Sequence, residues 1–92
     1  MRVVPKSKFE RDVLKIRKPL LLEALYQKIE QMEKASSIDN VTGVKILRGY
    51  THHHRIIVKS EKESYRIGAI IRANTIWLVR FLPRRTIYKE FP

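Results

Sequence analysis

The apolar positions of the chain change their period near its middle. In the first 34 residues apolar side chains recur every three or four positions, which predicts two amphipathic helices. The first covers residues 8–17 and is expected to begin with a capping box formed by Ser7 and Glu10. The second begins at Pro19, where a missing N–H costs nothing. Its apolar stripe, which is expected to pack against a sheet, consists of Leu21, Leu22, Leu25, Ile29 and Met32.

A period of two follows the turn-rich residues 36–43 and predicts strands. A short strand at residues 2–4 precedes the helices, and the tail that Pro83 opens is expected to form one or two helical turns. The four later strands are predicted at residues 44–47, 54–59, 65–71 and 75–81. The sequence therefore predicts one α+β domain over residues 1–92, in the order β-α-α-β-β-β-β-α. Two helices should cover one face of a mainly antiparallel sheet and leave the other face open.

Alternation along the strands assigns side chains to the two faces of this sheet. The core face is expected to hold Tyr65, Ile67, Trp77, Val79 and Phe81. The opposite face is expected to hold arginines from neighbouring strands, followed by two more just after the last strand. These arginines are Arg55, Arg66, Arg80, Arg84 and Arg85. Because the planar guanidinium binds phosphate oxygens with two N–H groups, the cluster predicts a phosphate-binding surface.

Composition narrows the class of protein. The 92 residues are 43% hydrophobic and contain no cysteine, which excludes a disulfide framework and a Cys-based zinc site. No apolar run approaches the roughly 20 residues that a membrane span needs. The first dozen residues are charged and do not resemble a signal peptide. A cytoplasmic protein without a membrane partner is expected.

Positive charge is concentrated in the predicted sheet and tail. The chain carries 20 Lys and Arg against nine Asp and Glu, a formal net charge of +11. Residues 1–40 have nine basic and six acidic side chains, whereas residues 41–92 have 11 and three. A polyanion is the expected partner, because binding it releases counterions. Nucleic acid is favoured over an acidic protein or an anionic membrane surface.

Three adjacent histidines precede Arg55. In an extended segment His52 and His54 share one side and His53 points to the other, so the three cannot converge on one metal ion. The chain also has no cysteine and no H-x-x-x-H pair, and no metal site is expected. Two interpretations stay open. The histidines form a polar entry to the strand, or they stack on bases or carry protons at an RNA site.

Two stretches of the second half resemble the RelE/ParE superfamily of bacterial toxin–antitoxin toxins. These are LRGYTHHHRIIVKSEKESYRIGAII (47–71) and IWLVRFLPRRTIYKEF (76–91). The shared features are a basic L-x-G segment, a Y-R-I segment and a closing V-x-x-x-x-R-x-x-I-Y. The predicted order of elements is also similar to that superfamily's fold. The resemblance covers nearly the whole chain and is strongest over residues 44–91.

The resemblance implies a toxin that cleaves mRNA on the ribosome, with the ribose 2′-OH as nucleophile and without a metal or another cofactor. It also implies a hetero-oligomer with an acidic antitoxin. Arg66 matches the arginine that stabilises the phosphate, and Arg55 matches a basic position lining the site. Arg84 matches the basic residue before the C-terminal tyrosine, and Tyr88 matches that tyrosine. Further RNA contacts are expected from Arg80, Arg85, Lys59, His53 and His54.

Three departures distinguish this chain from many members of the superfamily. Ile57 stands where several carry a second cation after the position of Arg55, and Pro83 stands where many have histidine. The loop at residues 59–64 is also longer than usual. The groups left for proton transfer are His53, His54 and Tyr88. Two other functions stay open: a toxin that inhibits DNA gyrase, and a small RNA-binding protein without catalysis.

Overall fold

The computed structural model describes residues 1–92 and contains five strands and three α-helices. In chain order these are β1 (Arg2–Pro5), α1 (Ser7–Leu14), α2 (Pro19–Lys34), β2 (Val44–Ile46), β3 (His53–Lys59), β4 (Ser64–Arg72), β5 (Thr75–Pro83) and α3 (Arg84–Glu90). A single 3₁₀ turn at Ile38–Asn40 follows α2. The predicted α+β class and order of elements are confirmed. None of the helices is both long and apolar enough to cross a membrane.

All five strands form one sheet in the order β1-β5-β4-β3-β2. Strands β2 to β5 pair antiparallel with their sequence neighbours, and β1 pairs with β5 in parallel. Helices α1 and α2 cover one face, here called the helix face, and the main core lies beneath them. The fully buried core includes Leu21, Leu25, Met32, Ile56, Ile67 and Leu78. The opposite face is called the outer face.

The first helix differs from its prediction at both ends. Helix α1 spans Ser7–Leu14, and its N-cap residue is Lys6, which makes no side-chain capping bond. The predicted capping box is therefore wrong, because Ser7 already lies inside the helix. At the other end the N–H groups of Lys15 and Ile16 bond to carbonyls three residues earlier. This tighter turn ends the helix before residue 17.

A β-bulge in β5 reverses the predicted faces of Trp77 and Val79. Gly68 pairs with Arg80 and Ala69 pairs with Leu78, so Val79 is an extra residue without a partner. Such a bulge interrupts the alternation of side chains along a strand. Trp77 and Val79 consequently lie on the outer face, half-buried, and their core assignment is wrong.

The rest of the predicted core face is confirmed. Tyr65, Ile67 and Phe81 are buried in the main core. Ile76 and Leu78 take the core positions that Trp77 and Val79 were expected to fill.

Arg80 lies apart from the other strand arginines because it pairs with Asp12 of α1. Its Nε and Nη2 donate to the two carboxylate oxygens of Asp12 over 2.8 and 3.2 Å. The backbone N–H of Phe81 donates to the same carboxylate over 2.9 Å. Strand β1 ends at Pro5, opposite Leu78, so the later residues of β5 have no neighbouring strand on that side. The carboxylate of Asp12 accepts the hydrogen bond that a strand would otherwise accept there. The bond to Asp12 raises the pKa of Arg80.

Gly68 pairs with both Arg80 and Arg55, so strand register keeps Arg80 on the predicted face of the sheet. The ring of Phe91, which lies on Gly68, separates the two arginines.

Helix α3 covers part of the outer face, which the sequence predicted to be open. Ile87 and Phe91 are buried there against Leu47, with Val79 and Leu82 packed around them. The ring of Phe91 lies directly on Gly68, where an added Cβ would be 2.6 Å from its Cγ. The prediction fails because residues 84–91 carry their own apolar stripe, which needs a surface to pack on. The outer face stays open only beside this helix.

We expect Asp12→Ala to lower the free energy of unfolding by about 3 kcal/mol. The change leaves the buried N–H of Phe81 unpaired and leaves the half-buried guanidinium of Arg80 with only a 3.9 Å ion pair to the exposed Glu90. Urea denaturation followed by circular dichroism measures this change. The matched control is Glu30→Ala, which removes an exposed i,i+4 pair with Lys34 and should cost less than about 0.5 kcal/mol. Equal losses in the two variants would contradict this account of Asp12.

We expect Gly68→Ala to loosen the packing of α3, because the new methyl group collides with the ring of Phe91. Amide hydrogen exchange should accelerate at Phe91, whose N–H bonds to the carbonyl of Ile87, and stay unchanged in α2. Phe91→Ala added to Gly68→Ala should accelerate exchange little further, since both changes disrupt one contact. Additive effects would show that the two residues act separately.

Candidate nucleic-acid interface

A cleft on the outer face, here called the basic cleft, lies where β2, β3 and β4 meet the start of α3. Its volume is about 320 Å³. The lining residues are Lys45, Ile46, Leu47, Arg48, Arg55, Ile57, Arg66, Arg84 and Tyr88. Five of these nine are cations and none is acidic. The cleft is therefore built to attract a polyanion.

Strand register brings three of these cations together. Lys45 of β2 pairs with Arg55 of β3, and Ile57 of β3 pairs with Arg66 of β4. Side chains of directly paired residues share a face, and diagonal neighbours remain within reach of long side chains. Lys45, Arg55 and Arg66 thus converge from three adjacent strands on one side of the sheet.

Arg55 is held by an aromatic ring and keeps a free donor. Its guanidinium carbon lies 4.3 Å from the centre of the Tyr88 ring, within the range of a cation–π interaction. Its Nε is buried and has no hydrogen-bond partner. An unpaired buried donor costs free energy. The contact with the ring of Tyr88 orients the side chain before a ligand arrives.

Arg66 is oriented by the beginning of its own strand. Its Nη1 donates to the hydroxyl of Ser64 over 2.8 Å and to the carbonyl of Tyr65 over 3.1 Å. Both bonds use the same nitrogen, so Nε and Nη2 remain available for two parallel bonds to a phosphate.

Tyr88 is the most distinctive ionisable group of the basic cleft. It lies one helical turn after Arg84, whose Nε donates to the phenolic oxygen over 3.4 Å. This bond is the main cause that lowers the pKa of Tyr88, and the positive charges of Arg84, Arg55 and Arg66 lower it further. Its side chain is half-exposed. The phenol therefore gives up its proton more readily than an ordinary tyrosine and remains open to a ligand.

The structure brings four of the predicted site residues together: Arg55, Arg66, Arg84 and Tyr88 line one cleft. Arg80 is committed to Asp12, and Lys59 lies at a different cavity, beside α2. Arg85, His53 and His54 also fall outside the lining of the basic cleft. The RNA contacts expected of these five residues stay predictions.

The histidines diverge as the alternation predicts. His53 lies on the outer face, with its ring centre 4.9 Å from that of Tyr50 and 5.7 Å from that of Phe91. His54 lies beside Ile38 and Asp39 at the edge of the helix face, and its Nδ1 is 2.8 Å from the carbonyl oxygen of His52. No group of three or more His, Asp or Glu side chains is placed to hold a metal ion.

Sequence reasoning missed two cations of the basic cleft, Lys45 and Arg48. Lys45 reaches the cleft because β2 pairs with β3 in the register that sets it opposite Arg55. Lys45 lies between the apolar residues Val44 and Ile46, and this alternation indicates that its side chain points to the opposite face from theirs. The sequence does not show the register of β2, which decides that Lys45 lies opposite Arg55. Arg48 is the variable residue of the L-x-G segment and lies in the turn after β2.

The architecture is a five-stranded sheet with two helices on one face and a basic cleft beside a short final helix. A solved structure similar to this chain is the RelB–RelE antitoxin–toxin complex from Methanococcus jannaschii. The TM-score is 0.73 over 97% of this chain and 99% of the matched chain. The sequence identity of 24% makes this a likeness of fold.

A sequence relative identifies the family. The chain is 34% identical over 65 residues to Toxin RelE3 of Methanocaldococcus jannaschii. The matched segment covers 70% of this chain and 69% of the relative. No protein-family model matches the chain. The chain belongs to the RelE family of toxins, and the resemblance found in its sequence is confirmed.

We expect Arg84→Gln to raise the pKa of Tyr88 towards the ordinary tyrosine value, because the main group that lowers it is lost. Ultraviolet titration of phenolate formation measures this change, and subtraction of the Tyr88→Phe titration isolates the one phenol. The matched control is Arg85→Gln, which removes an adjacent exposed arginine outside the basic cleft. An unchanged Tyr88 titration in Arg84→Gln would contradict the assigned cause.

Proposed function

We propose that this chain is the toxin of a toxin–antitoxin pair and acts as a ribosome-dependent endoribonuclease on mRNA. The observation that carries the proposal is the basic cleft itself. It combines five cations, no carboxylate and a tyrosine with a lowered pKa. Membership of the RelE family supports the toxin class.

The proposed reaction is attack of a ribose 2′-oxygen on the adjacent phosphate. A bond forms between that oxygen and phosphorus, and the bond to the 5′-oxygen of the next nucleotide breaks. The products are a 2′,3′-cyclic phosphate and a free 5′-hydroxyl. One group must take the proton from the 2′-hydroxyl, cations must stabilise the charged phosphorane, and one group must protonate the leaving oxygen.

The basic cleft offers a candidate for each requirement. Arg55 and Arg66 would bind the phosphorane, since both guanidinium groups line the cleft and neither is paired with a carboxylate. An arginine cannot act as the base or acid near neutral pH, because its pKa exceeds about 12. Tyr88 would accept the proton of the 2′-hydroxyl, and Lys45 would donate one to the leaving oxygen. These two residues would replace the proton-transfer groups that Ile57 and Pro83 remove. The proposed route uses no metal.

The proposed partner in the resting state is an acidic antitoxin. The cations of the basic cleft have no intramolecular carboxylate, so an acidic segment would lower their mutual repulsion and exclude RNA. The similar solved structure is itself an antitoxin–toxin complex. A hetero-oligomer of toxin and antitoxin is therefore proposed for this chain as well.

We expect Arg66→Ala to slow cleavage of ribosome-bound mRNA by about 100-fold or more, the usual effect of removing a donor that stabilises a charged transition state. Primer extension on the mRNA measures the cuts, and growth arrest on induction should be lost in parallel. The matched control is Arg72→Ala, which removes an exposed arginine at the far end of the same strand. Arg72→Ala should cleave as the unchanged protein does.

Other outcomes would redirect the assignment. Full cleavage by a folded Arg66→Ala variant would overturn the proposed site. Inhibition of DNA supercoiling with mRNA left intact would indicate a gyrase inhibitor. Binding of RNA without any cut would indicate a non-catalytic RNA-binding protein.

A further inference from the structure

Three aromatic rings in tilted contact, here called the stack, run from the interior to the solvent beside the basic cleft, with interplanar angles of 42° and 53°. Phe91 is only 4% exposed, His53 is half-buried, and Tyr50 is 47% exposed. The ring centres are 5.7 Å apart from Phe91 to His53 and 4.9 Å apart from His53 to Tyr50. The stack therefore ends in a ring that has no aromatic neighbour on its outer side.

A tight turn fixes the position of Tyr50. The N–H of Tyr50 donates to the carbonyl of Leu47 over 3.1 Å, and Gly49 adopts a φ of +85°. Such a φ at the third position of a turn is open to glycine and strained for most other residues. Leu47 is buried against Ile87 and Phe91, so the turn is anchored to the same cluster that holds α3. Tyr50 is thus a half-exposed ring on a rigid support.

The same turn connects the stack to the basic cleft. Arg48, two residues before Tyr50, lines the cleft. His53 precedes Arg55 by two residues on the same face of β3, a separation of roughly 6.6 Å at the usual rise per residue. The ring of Tyr50 lies a further 4.9 Å from that of His53. A base stacked on Tyr50 would therefore belong to a nucleotide about one or two positions from the phosphate bound to Arg55.

The charge of this surface fits a polyanion, and its aromatic ring fits an unpaired base. Residues 47–55 contain two arginines, three histidines and no carboxylate. An aromatic ring beside cations is the usual arrangement for an unpaired base next to its phosphate. We propose that Tyr50, positioned by His53, stacks on an unpaired mRNA base one or two nucleotides from the phosphate held in the basic cleft. This inference rests on the proposed nuclease function and adds a contact that selects single-stranded substrate.

The experiment measures cleavage of ribosome-bound mRNA as a function of toxin concentration. Tyr50→Ala should raise the concentration for half-maximal cleavage roughly 5- to 150-fold, the range that loss of one stacked base produces. Tyr50→Phe retains the ring and should behave as the unchanged protein. The matched control is Tyr26→Ala, which removes a 57% exposed tyrosine from α2. His53→Ala should weaken cleavage in the same way as Tyr50→Ala, and His53→Phe should restore it.

A second arm identifies the base. A set of mRNAs is prepared, each with one abasic residue at a different position around the cut. For one of them, cleavage by the unchanged protein should be as weak as cleavage of intact mRNA by Tyr50→Ala. On that messenger Tyr50→Ala should cause no further loss, because the contact is already gone. A merely structural role of Tyr50 would instead give the same loss on every messenger.

Each alternative outcome overturns the inference. If the unchanged protein cuts mRNA and Tyr50→Ala cuts it equally well, the stacking contact fails while the nuclease proposal stands. The same holds if Tyr50→Ala weakens only the complex with an acidic antitoxin, which would make this surface a protein-binding one. If the unchanged protein cuts no mRNA, both proposals fail together.

Discussion

The contact between the ring of Phe91 and the bare backbone of Gly68 decides how the outer face is used. Because residue 68 has no side chain, the ring can lie directly on the sheet, and the whole of α3 follows it. That position brings Tyr88 over Arg55, and it supports the ring of His53 from below. The lack of a side chain at Gly68 therefore determines the positions of both the Tyr88 phenol and the aromatic stack.

Some arginines of this protein are paired with a carboxylate, and others are not. Arg80 is bound by the carboxylate of Asp12 and contributes to the fold. Arg55, Arg66 and Arg84 share a cleft with no carboxylate, so their mutual repulsion is relieved only by an aromatic ring, by water or by a bound anion. Such a cluster opposes folding slightly and favours binding. This separation explains why similar arginines on adjacent strands have different roles.

Much of this arrangement was predictable from the sequence, for physical reasons that also explain the errors. The order of elements follows from the change in apolar period, which local side-chain geometry dictates. The faces of Trp77 and Val79 were missed because a bulge depends on pairing across strands rather than on one strand's pattern. The position of Lys45 was missed for the same reason. The docking of α3 was missed because the apolar stripe of residues 84–91 does not indicate which surface it packs on. The likeness to toxins indicated Arg55, Arg66, Arg84 and Tyr88, but their common cleft became visible only in three dimensions.

The carboxylate of Asp12 also has a consequence for how copies of this chain behave towards each other. Strand β1 has four residues and ends in proline, and β2 has three, so both borders of the sheet are short. Where β1 has ended, the backbone N–H of Phe81 has no strand partner and donates instead to the carboxylate of Asp12. Long unpaired borders invite strands of other molecules to add and to aggregate. This chain offers few such backbone groups, which protects a small apolar sheet from polymerising edge to edge.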